Sequence, residues 1–207
     1  LVRLDKIGAF ALTEPGAGSD AAALRTTLTR SDGGYLLNGT KLFTTNAAEA
    51  DVFVVLATHD PDRRAQGINA VVVERDSEGL TINPQHGKMG MRASSTGEVV
   101  FDNCPVPEAN LLGDEGAGFR VAMEVLNVSR ISIAAQCVGI AQAAYEASVQ
   151  YARQREAFGQ PLAEFQAIQW MIADMATNIE AARSRVLRAA TLRDSGLPFV
   201  TNASMAK

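Results

Sequence analysis

The sequence contains few side chains of the kinds that bind metal ions or form disulfides. Its 207 residues include two cysteines and two histidines: Cys104, Cys137, His59 and His86. Cysteines this sparse, without a C-x-x-C pair, exclude a disulfide scaffold and the usual zinc spacings, and they suit a reducing compartment. The histidines lie too far apart in the sequence to form a cluster. We therefore predict no metal site and interpret each histidine as a loop residue.

Positive charge and long apolar runs are scarce as well. With 19 Lys and Arg residues against 23 Asp and Glu residues, the net charge is −4. A chain without a basic block is not expected to have nucleic acid as its main partner. No unbroken apolar run approaches the roughly 20 residues of a membrane-spanning helix, so no membrane span is predicted.

What is present is the composition of a packed globular protein, with 47% hydrophobic and 20% charged residues. Before Gly113, short apolar runs alternate with turn clusters such as DGG, NG, DPD and SEG. The runs predict strands: AFAL, GYLLNGTKLFTT, DVFVVLAT, INAVVVER, GLTINP and EVVFDNCPV. Strands at this spacing indicate a sandwich or small barrel. The Asn38-Gly39 pair predicts a hairpin turn.

After Gly113 the composition changes to one rich in alanine, glutamine, arginine and glutamate. Apolar residues at steps of three and four predict two amphipathic helices, over 119–155 and 165–196. A third helix is predicted to begin near Val200. Because each helix has one apolar stripe to cover, we expect partner helices that lie outside this sequence or in a neighbouring subunit.

The segment TEPGAGSD, residues 13–20, combines permissive backbone with small polar groups at the end of a predicted strand. Gly16 and Gly18 allow positive φ and remove side-chain bulk, so the amides of this turn can point together at an anion or a carbonyl. Thr13 and Ser19 add hydroxyl donors. The alternative is a strand-ending turn in which Ser19 or Asp20 caps a short helix through AAAL.

Six stretches together make a specific pattern: LTEPGAGSD, KLFTTN, KMGMRASST, VPEANLLG, GFRVAMEVLNVSR and YARQREAFGQPLAEFQAIQ, in this order. On these motifs the whole chain resembles the acyl-CoA dehydrogenase family, from its middle β-domain into its C-terminal helical domain. The resemblance implies an α+β multidomain fold. A β-barrel-like middle domain would occupy residues 1–112, and an incomplete α-helical bundle would occupy residues 113–207.

The resemblance also implies an activity. A family member of this kind uses FAD to remove a proton from Cα and a hydride from Cβ of an acyl-CoA thioester, in fatty-acid β-oxidation. The product is the trans-2-enoyl-CoA, and an electron-transfer flavoprotein usually takes the electrons. We accordingly expect a homodimer or homotetramer, in the bacterial cytoplasm or, in a eukaryote, in the mitochondrial matrix.

Most of the site residues that the resemblance implies bind FAD. One group matches segments around the flavin ring: Phe10, Leu12, Thr13, Phe43, Thr44 and Thr45. The backbone and hydroxyl of Thr13 would bind the flavin pyrimidine, Thr45 would lie near flavin N5, and Phe43 would cover a ring face. Without the family, Phe10 and Leu12 read as core residues and Thr45 as a buried threonine of a strand.

A second group matches contacts to the FAD of a neighbouring subunit. Arg155 corresponds to an arginine that binds the FAD diphosphate, for which a guanidinium offers paired donors. Phe158 and Gln166 match adjacent FAD contacts. The alternative is an exposed Arg155 that caps the helix before Gly159.

For the thioester, the resemblance implies Ser19 at the pantetheine or diphosphate of the carrier and Arg130 near its adenine end. Asn127 stands where a carboxylate is common in the family, which is a departure from the pattern. In isolation, an arginine in the middle of a helix is equally well a solvated residue or a salt-bridge partner.

No catalytic residue is predicted in this chain. The family's usual base is a glutamate of the C-terminal domain beyond Lys207, and the position that a minority uses is Ser129, which is a poor base without an activating partner. Glu124 and Glu180 are interpreted as structural. We expect the isolated chain to be inactive. Two alternatives remain open: an oxidase or carrier-protein-linked dehydrogenase of the same family, or a non-catalytic binding or assembly module.

Overall fold

The structure, a computed structural model, describes residue 3 and residues 5–207. By α-carbon contacts the chain divides into two units, Leu1–Met123 and Glu124–Lys207. The domain boundary at residues 112 and 113 stays a prediction.

The first unit is built on one curled seven-stranded sheet. Its strands are β1 (Gly8–Ala11), β2 (Thr27–Ser31), β3 (Gly34–Thr45), β4 (Val52–Thr58), β5 (Ile68–Glu74), β6 (Leu80–Pro84) and β7 (Thr96–Pro107). The order is β1-β4-β2-β3-β7-β6, with β5 pairing β4; β1 and β2 pair β4 in parallel, and the other pairs are antiparallel. Together with the helical second unit, this confirms the predicted α+β class with a barrel-like first part.

The burial of these strands follows their sequences. β4 and β5 are nearly continuous runs of valine and other apolar residues, and they are buried along most of their lengths. β-Branched residues fit such a pleated, covered surface. β7 instead alternates, with Val99, Phe101, Cys104 and Val106 inward. These side chains and those of Leu28, Tyr35, Leu37 and Phe53 belong to one core cluster.

The hairpin predicted at Asn38-Gly39 is wrong, because both residues lie inside β3. The turn is Asp32-Gly33, between β2 and β3, where Ser31 pairs with Gly34 and Gly33 has φ +82°. Gly39 has φ +146°, and a Cβ there would come within 2.6 Å of the Thr26 hydroxyl oxygen. Its glycine therefore serves a close approach and a bulge rather than a turn. β2 was not predicted because its sequence, TLTRS, is polar. Without β2, the pairing with β3 and the hairpin at Asp32-Gly33 could not be predicted either.

The predicted helices of the second half are confirmed as α1 (Gly118–Gln154), α2 (Gln166–Asp194) and α3 (Val200–Ala206). A small hairpin of β8 (Glu156–Ala157) and β9 (Gln160–Pro161) joins α1 to α2. Single turns of 3₁₀ helix lie at Ala21–Ala23, Glu108–Asn110 and Leu162–Glu164, and a longer 3₁₀ segment, Pro61–Gly67, is interrupted at Arg64. The core of the second unit contains Ala134, Val138, Ile179 and Val186. Other apolar residues of α1 and α2 are exposed within this chain: Ile133, Ile140, Met171 and Leu187.

One helix bears on the expectation that the chain has no membrane span. By length and composition α1 is apolar enough to cross a membrane, since its best 18-residue window has a mean hydropathy of 1.3. The core helix of a soluble protein meets the same criterion. The prediction from the sequence considered only unbroken apolar runs. In α1, alanine, valine and isoleucine alternate with single polar residues, which raises the mean hydropathy without forming such a run.

Candidate functional site

In the first unit, the ends of β1 and β3 are joined at one place. The Leu42 N–H donates to the Thr13 carbonyl oxygen at 2.7 Å, and Lys41 Nζ donates to the Leu12 carbonyl oxygen at 3.1 Å. These bonds bring the predicted flavin segments 10–13 and 43–45 together. We call this junction the β1–β3 rim.

The predicted side chains at the β1–β3 rim differ in exposure. Phe10 and Leu12 are half-buried against a core cluster around Leu24 and Leu56, so their side chains serve packing. Thr13 is half-buried and Thr45 is exposed. Thr44 is buried, and its hydroxyl has no hydrogen-bond partner among residue 3 and residues 5–207. A ligand at the rim can therefore reach the Thr13 and Thr45 side chains, whereas Thr44 is closed to solvent.

Phe43 is held in an uncommon conformation at the rim. Its φ is +53°, its side chain is 63% exposed, and the pairing of β3 with β7 is irregular between Lys41 and Thr44. A left-handed conformation costs a non-glycine residue about 1–2 kcal/mol. Strain of this kind is concentrated at binding and catalytic sites. The bulge turns an aromatic ring outward where the alternation of β3 alone would not.

We expect Phe43→Asn to raise the free energy of unfolding by about 0.5–1 kcal/mol, because asparagine tolerates positive φ and little apolar burial is lost. Chemical denaturation of the full-length protein measures the change. Phe53→Asn is the contrasting variant, since the same replacement at a fully buried position destabilises the protein. A loss of stability in Phe43→Asn would show that the exposed ring contributes more than its backbone costs.

The TEPGAGSD turn is closed by two bonds between Glu14 and Ala17, with N···O distances of 3.0 and 3.2 Å. Gly16 and Gly18 are not among the glycines with positive φ, and a Cβ on either would meet nothing within 4 Å. The turn therefore does not use the positive φ that these glycines allow. Their lack of a side chain leaves open space beside the turn.

The predicted helix cap in this segment is also wrong. Asp20 precedes the single 3₁₀ turn Ala21–Ala23 without a side-chain hydrogen bond to it. Both Asp20 carboxylate oxygens instead lie 2.8 Å from Arg64 Nη2. Ser19 is exposed. One turn of helix offers few free N–H groups, and Arg64, distant in sequence, binds the carboxylate instead.

Sequence reasoning missed a buried ion pair next to the rim. Lys41 Nζ lies 2.7 Å from Glu14 Oε1, and the Lys41 side chain is fully buried. The Glu14 carboxylate also accepts from the Arg25 N–H at 2.6 Å and the Thr26 N–H at 3.0 Å. The sequence does contain a sign of this burial. Lys41 has the same parity along β3 as the inward residues Tyr35 and Leu37, so the alternation of the strand predicts that it points inward.

The pair shifts both of its pKa values downward. Burial depresses the pKa of Lys41 to about 8, although the Glu14 charge and hydrogen bond oppose the shift. Burial by itself would raise the pKa of Glu14. The Lys41 charge and hydrogen bonds from Lys41, Thr26 and Arg25 outweigh that effect and hold the pKa of Glu14 below its ordinary value.

In the second unit, the predicted FAD residues lie on and beside the β8–β9 hairpin. Phe158 and Gly159 form its turn, with φ of +54° and +81°, and Phe158 is 97% exposed. The Phe158 ring contacts Phe165 edge to face, with centroids 6.3 Å apart. Gln166 is exposed at the first position of α2. Arg155 is also exposed, and its guanidinium has no hydrogen bond or ion pair within the described residues.

The predicted carrier contacts of α1 are in contact with each other. Arg130 Nη1 donates to Asn127 Oδ1 at 2.7 Å and to Ser204 Oγ at 3.3 Å. The amide at position 127 therefore accepts from the guanidinium without placing a negative charge beside it. The Ser129 hydroxyl donates to the Leu126 carbonyl oxygen at 2.9 Å, an ordinary helical contact. Across residue 3 and residues 5–207, no group of three or more His, Cys, Asp or Glu side chains could hold a metal ion.

Comparison with known proteins identifies the family of the chain. Two family models match: "Acyl-CoA dehydrogenase, middle domain" over residues 9–104 and "Acyl-CoA dehydrogenase, C-terminal domain" over residues 116–207. An acyl-CoA dehydrogenase of Bacillus subtilis is 53% identical over 203 residues, which is 98% of this chain and 54% of that protein. The chain thus spans about half the length of the curated relatives it matches.

Solved structures agree. A chain in the structure described as "Electron transferring flavoprotein of Acidaminococcus fermentans" is 48% identical with a TM-score of 0.94, covering 97% of this chain and 53% of that one. "PigA with FAD and proline" is 32% identical with a TM-score of 0.94, covering 97% and 52%. The chain belongs to the acyl-CoA dehydrogenase family, and it matches the family's middle domain and its C-terminal domain.

Proposed function

We propose that the full-length protein is an FAD-dependent acyl-CoA dehydrogenase and that this chain supplies much of its cofactor site. The carrying observation is the β1–β3 rim, where an exposed aromatic ring at positive φ and two accessible threonines adjoin a glycine-rich turn. The named activity of the Bacillus subtilis relative and the FAD of the PigA structure support this assignment.

The residues present fit FAD. Thr13 and Thr45 offer hydroxyls, the Phe43 ring offers an apolar face, and the space beside Gly16 and Gly18 admits a ligand close to the backbone. When bound, FAD would accept the hydride that leaves Cβ of the acyl thioester. Donors fixed at the rim favour charge at the ligand edge they contact, because they need no reorganisation during the reaction.

The second unit supplies binding groups for phosphates. Arg155 presents a guanidinium that is unengaged within the described part of the chain and suits the FAD diphosphate, with Phe158 and Gln166 nearby in the sequence. We propose that these three residues serve the FAD of a neighbouring subunit, which makes cofactor binding depend on a homodimer or homotetramer. Arg130 and Asn127 on α1 are proposed to contact the coenzyme A part of the substrate. The same role is proposed, separately, for the exposed Ser19 of the turn in the first unit.

No residue of this chain is assigned as the base that removes the Cα proton. Glu14 is committed to Lys41, and the Ser129 hydroxyl is bonded to its own helix. Glu180 lies on α2, where its Oε2 is 4.0 Å from Arg183 Nε. The base is therefore proposed to lie in the remainder of the protein. An electron-transfer flavoprotein is the proposed acceptor, in fatty-acid β-oxidation in the bacterial cytoplasm or the mitochondrial matrix.

The activity test compares two proteins. We expect the full-length protein to reduce an artificial electron-accepting dye when acyl-CoA is added, and the isolated 207-residue chain to give no acyl-CoA-dependent reduction, since it carries no assigned base. Oxygen consumption and carrier-protein thioesters separate an oxidase or a carrier-linked enzyme from a dehydrogenase. A full-length protein that binds no flavin would overturn the proposal, and turnover by the isolated chain would refute the assignment of the base.

A further inference from the structure

The buried ion pair of Lys41 and Glu14 lies directly beside the β1–β3 rim, although neither residue is among the proposed FAD contacts. Lys41 Nζ donates to the Leu12 carbonyl oxygen at 3.1 Å as well as to Glu14 Oε1 at 2.7 Å. The Leu12 carbonyl and the Thr13 N–H belong to one peptide group. A cation at one end of that group therefore acts on the hydrogen-bond donor at its other end.

The effect on Thr13 follows from burial. A hydrogen bond from an ammonium is stronger than one between neutral groups, and bonds in series polarise one another. The Lys41 side chain is fully buried, so water screens its charge little. Electron density in the Leu12–Thr13 peptide is drawn toward the carbonyl, and the Thr13 N–H becomes a stronger donor.

Glu14 fixes the ammonium in this position. Its carboxylate is anchored by the Arg25 and Thr26 N–H groups, on the chain that follows the turn. A buried ion pair is often no more stabilising than a well-packed apolar pair of the same size. Stability therefore does not explain why charge is placed at this point, whereas an effect on the adjacent peptide does.

We propose that Lys41 is a positioning residue that holds and polarises the Leu12–Thr13 peptide for hydrogen bonding to the flavin. This role rests on the proposed function. A stronger donor at the flavin edge favours the reduced cofactor, because it stabilises the charge that reduction adds there. Loss of the Lys41 bond should then lower the reduction potential of the bound flavin.

The test measures the two-electron reduction potential of FAD in the full-length protein by equilibration with a reference dye. The variants are Lys41→Met and the double variant Glu14→Gln with Lys41→Met. The double variant leaves no unpaired charge buried at this site, so the test can still be made if the single variant fails to fold. At a fixed ambient potential we expect both to lower the ratio of reduced to oxidised flavin about tenfold, a shift of about 30 mV. Leu37→Ala is the control. It removes a buried side chain from the core cluster of Leu28, Tyr35 and Phe53, which is distinct from the cluster that contacts Phe10 and Leu12.

Unchanged potentials in both charge variants would overturn the role of Lys41, as would an equal shift in Leu37→Ala. Loss of flavin from both charge variants, with flavin retained in Leu37→Ala, supports it, since the peptide is then needed even for binding. A wild-type protein without flavin refutes the proposed function itself. A flavin-loaded wild type with unshifted variants refutes only the role of Lys41.

Discussion

Replacing Lys41 with methionine is expected to lower the free energy of unfolding by about 3 kcal/mol at neutral pH, near the lower end for a broken buried ion pair. The change leaves the Glu14 carboxylate buried with only the Arg25 and Thr26 N–H groups as donors. Those two bonds keep the loss from being larger. Urea denaturation of the full-length protein at several pH values measures the effect.

The loss should depend on pH in a direction that identifies its cause. In wild type the pKa of Glu14 is lowered, so its contribution is present above the ordinary value of 4.5 and is lost on acidification. In Lys41→Met the burial that raises this pKa is no longer outweighed by the lysine. The folded state then takes up a proton more readily than the unfolded chain, and the variant recovers stability as the pH falls.

Lys41 itself adds an alkaline signature. Because burial depresses its pKa to about 8 from 10.5, the folded protein releases this proton at a lower pH than the unfolded chain. Wild-type stability should therefore rise between those two values, and both variants that lack Lys41 should not show the rise.

Two controls make the interpretation decisive. Glu14→Gln with Lys41→Met removes both charges and should restore most of the stability while abolishing the pH dependence. Lys88→Met removes a lysine that bonds Met91 O at 2.8 Å and Thr96 Oγ1 at 3.2 Å, without a carboxylate partner among the described residues. The change in the free energy of unfolding caused by Lys88→Met should be independent of pH between 4 and 6. An equal loss in the single and double variants would contradict a coupled pair.

Replacing Arg155 with alanine is expected to weaken FAD binding by at least about 100-fold, as for removal of one partner of a charge-assisted contact. Arg155→Lys keeps the charge but loses the paired donors, and we expect a weakening of about tenfold. Titration of the flavin-free full-length protein with FAD, followed by the quenching of flavin fluorescence, measures both. The exposed position of Arg155 means that neither change should alter the free energy of unfolding without FAD by more than about 0.5 kcal/mol.

Arg153→Ala is the matched control for this experiment, since Arg153 is exposed near the same end of α1 and has no assigned role. It should bind FAD as wild type does. Because the cofactor is proposed to bridge subunits, sedimentation should also show FAD strengthening the oligomer in wild type and not in Arg155→Ala. Equal affinities of Arg155→Ala and Arg153→Ala would remove Arg155 from the site.

The sequence by itself determined the family, the three helices and most strands. These properties depend on short-range periodicity and on ordered motifs, which are written along the chain. It also placed Thr13, Phe43 and Thr45 in two separate segments, and the bonds between β1 and β3 bring those segments together. Their contact was implied by the family resemblance alone, since no local pattern links them.

Only the tertiary structure decided several features of the site. It showed that β2 pairs β3, that Gly39 faces Thr26 within a strand, and that Asp20 binds Arg64 instead of capping a helix. It also revealed the pairing of Lys41 with Glu14. The β2–β3 pairing is local but is hidden by the polar sequence of β2, whereas the other features join residues distant in sequence. Their energies depend on burial and on competing partners, which the local sequence does not specify.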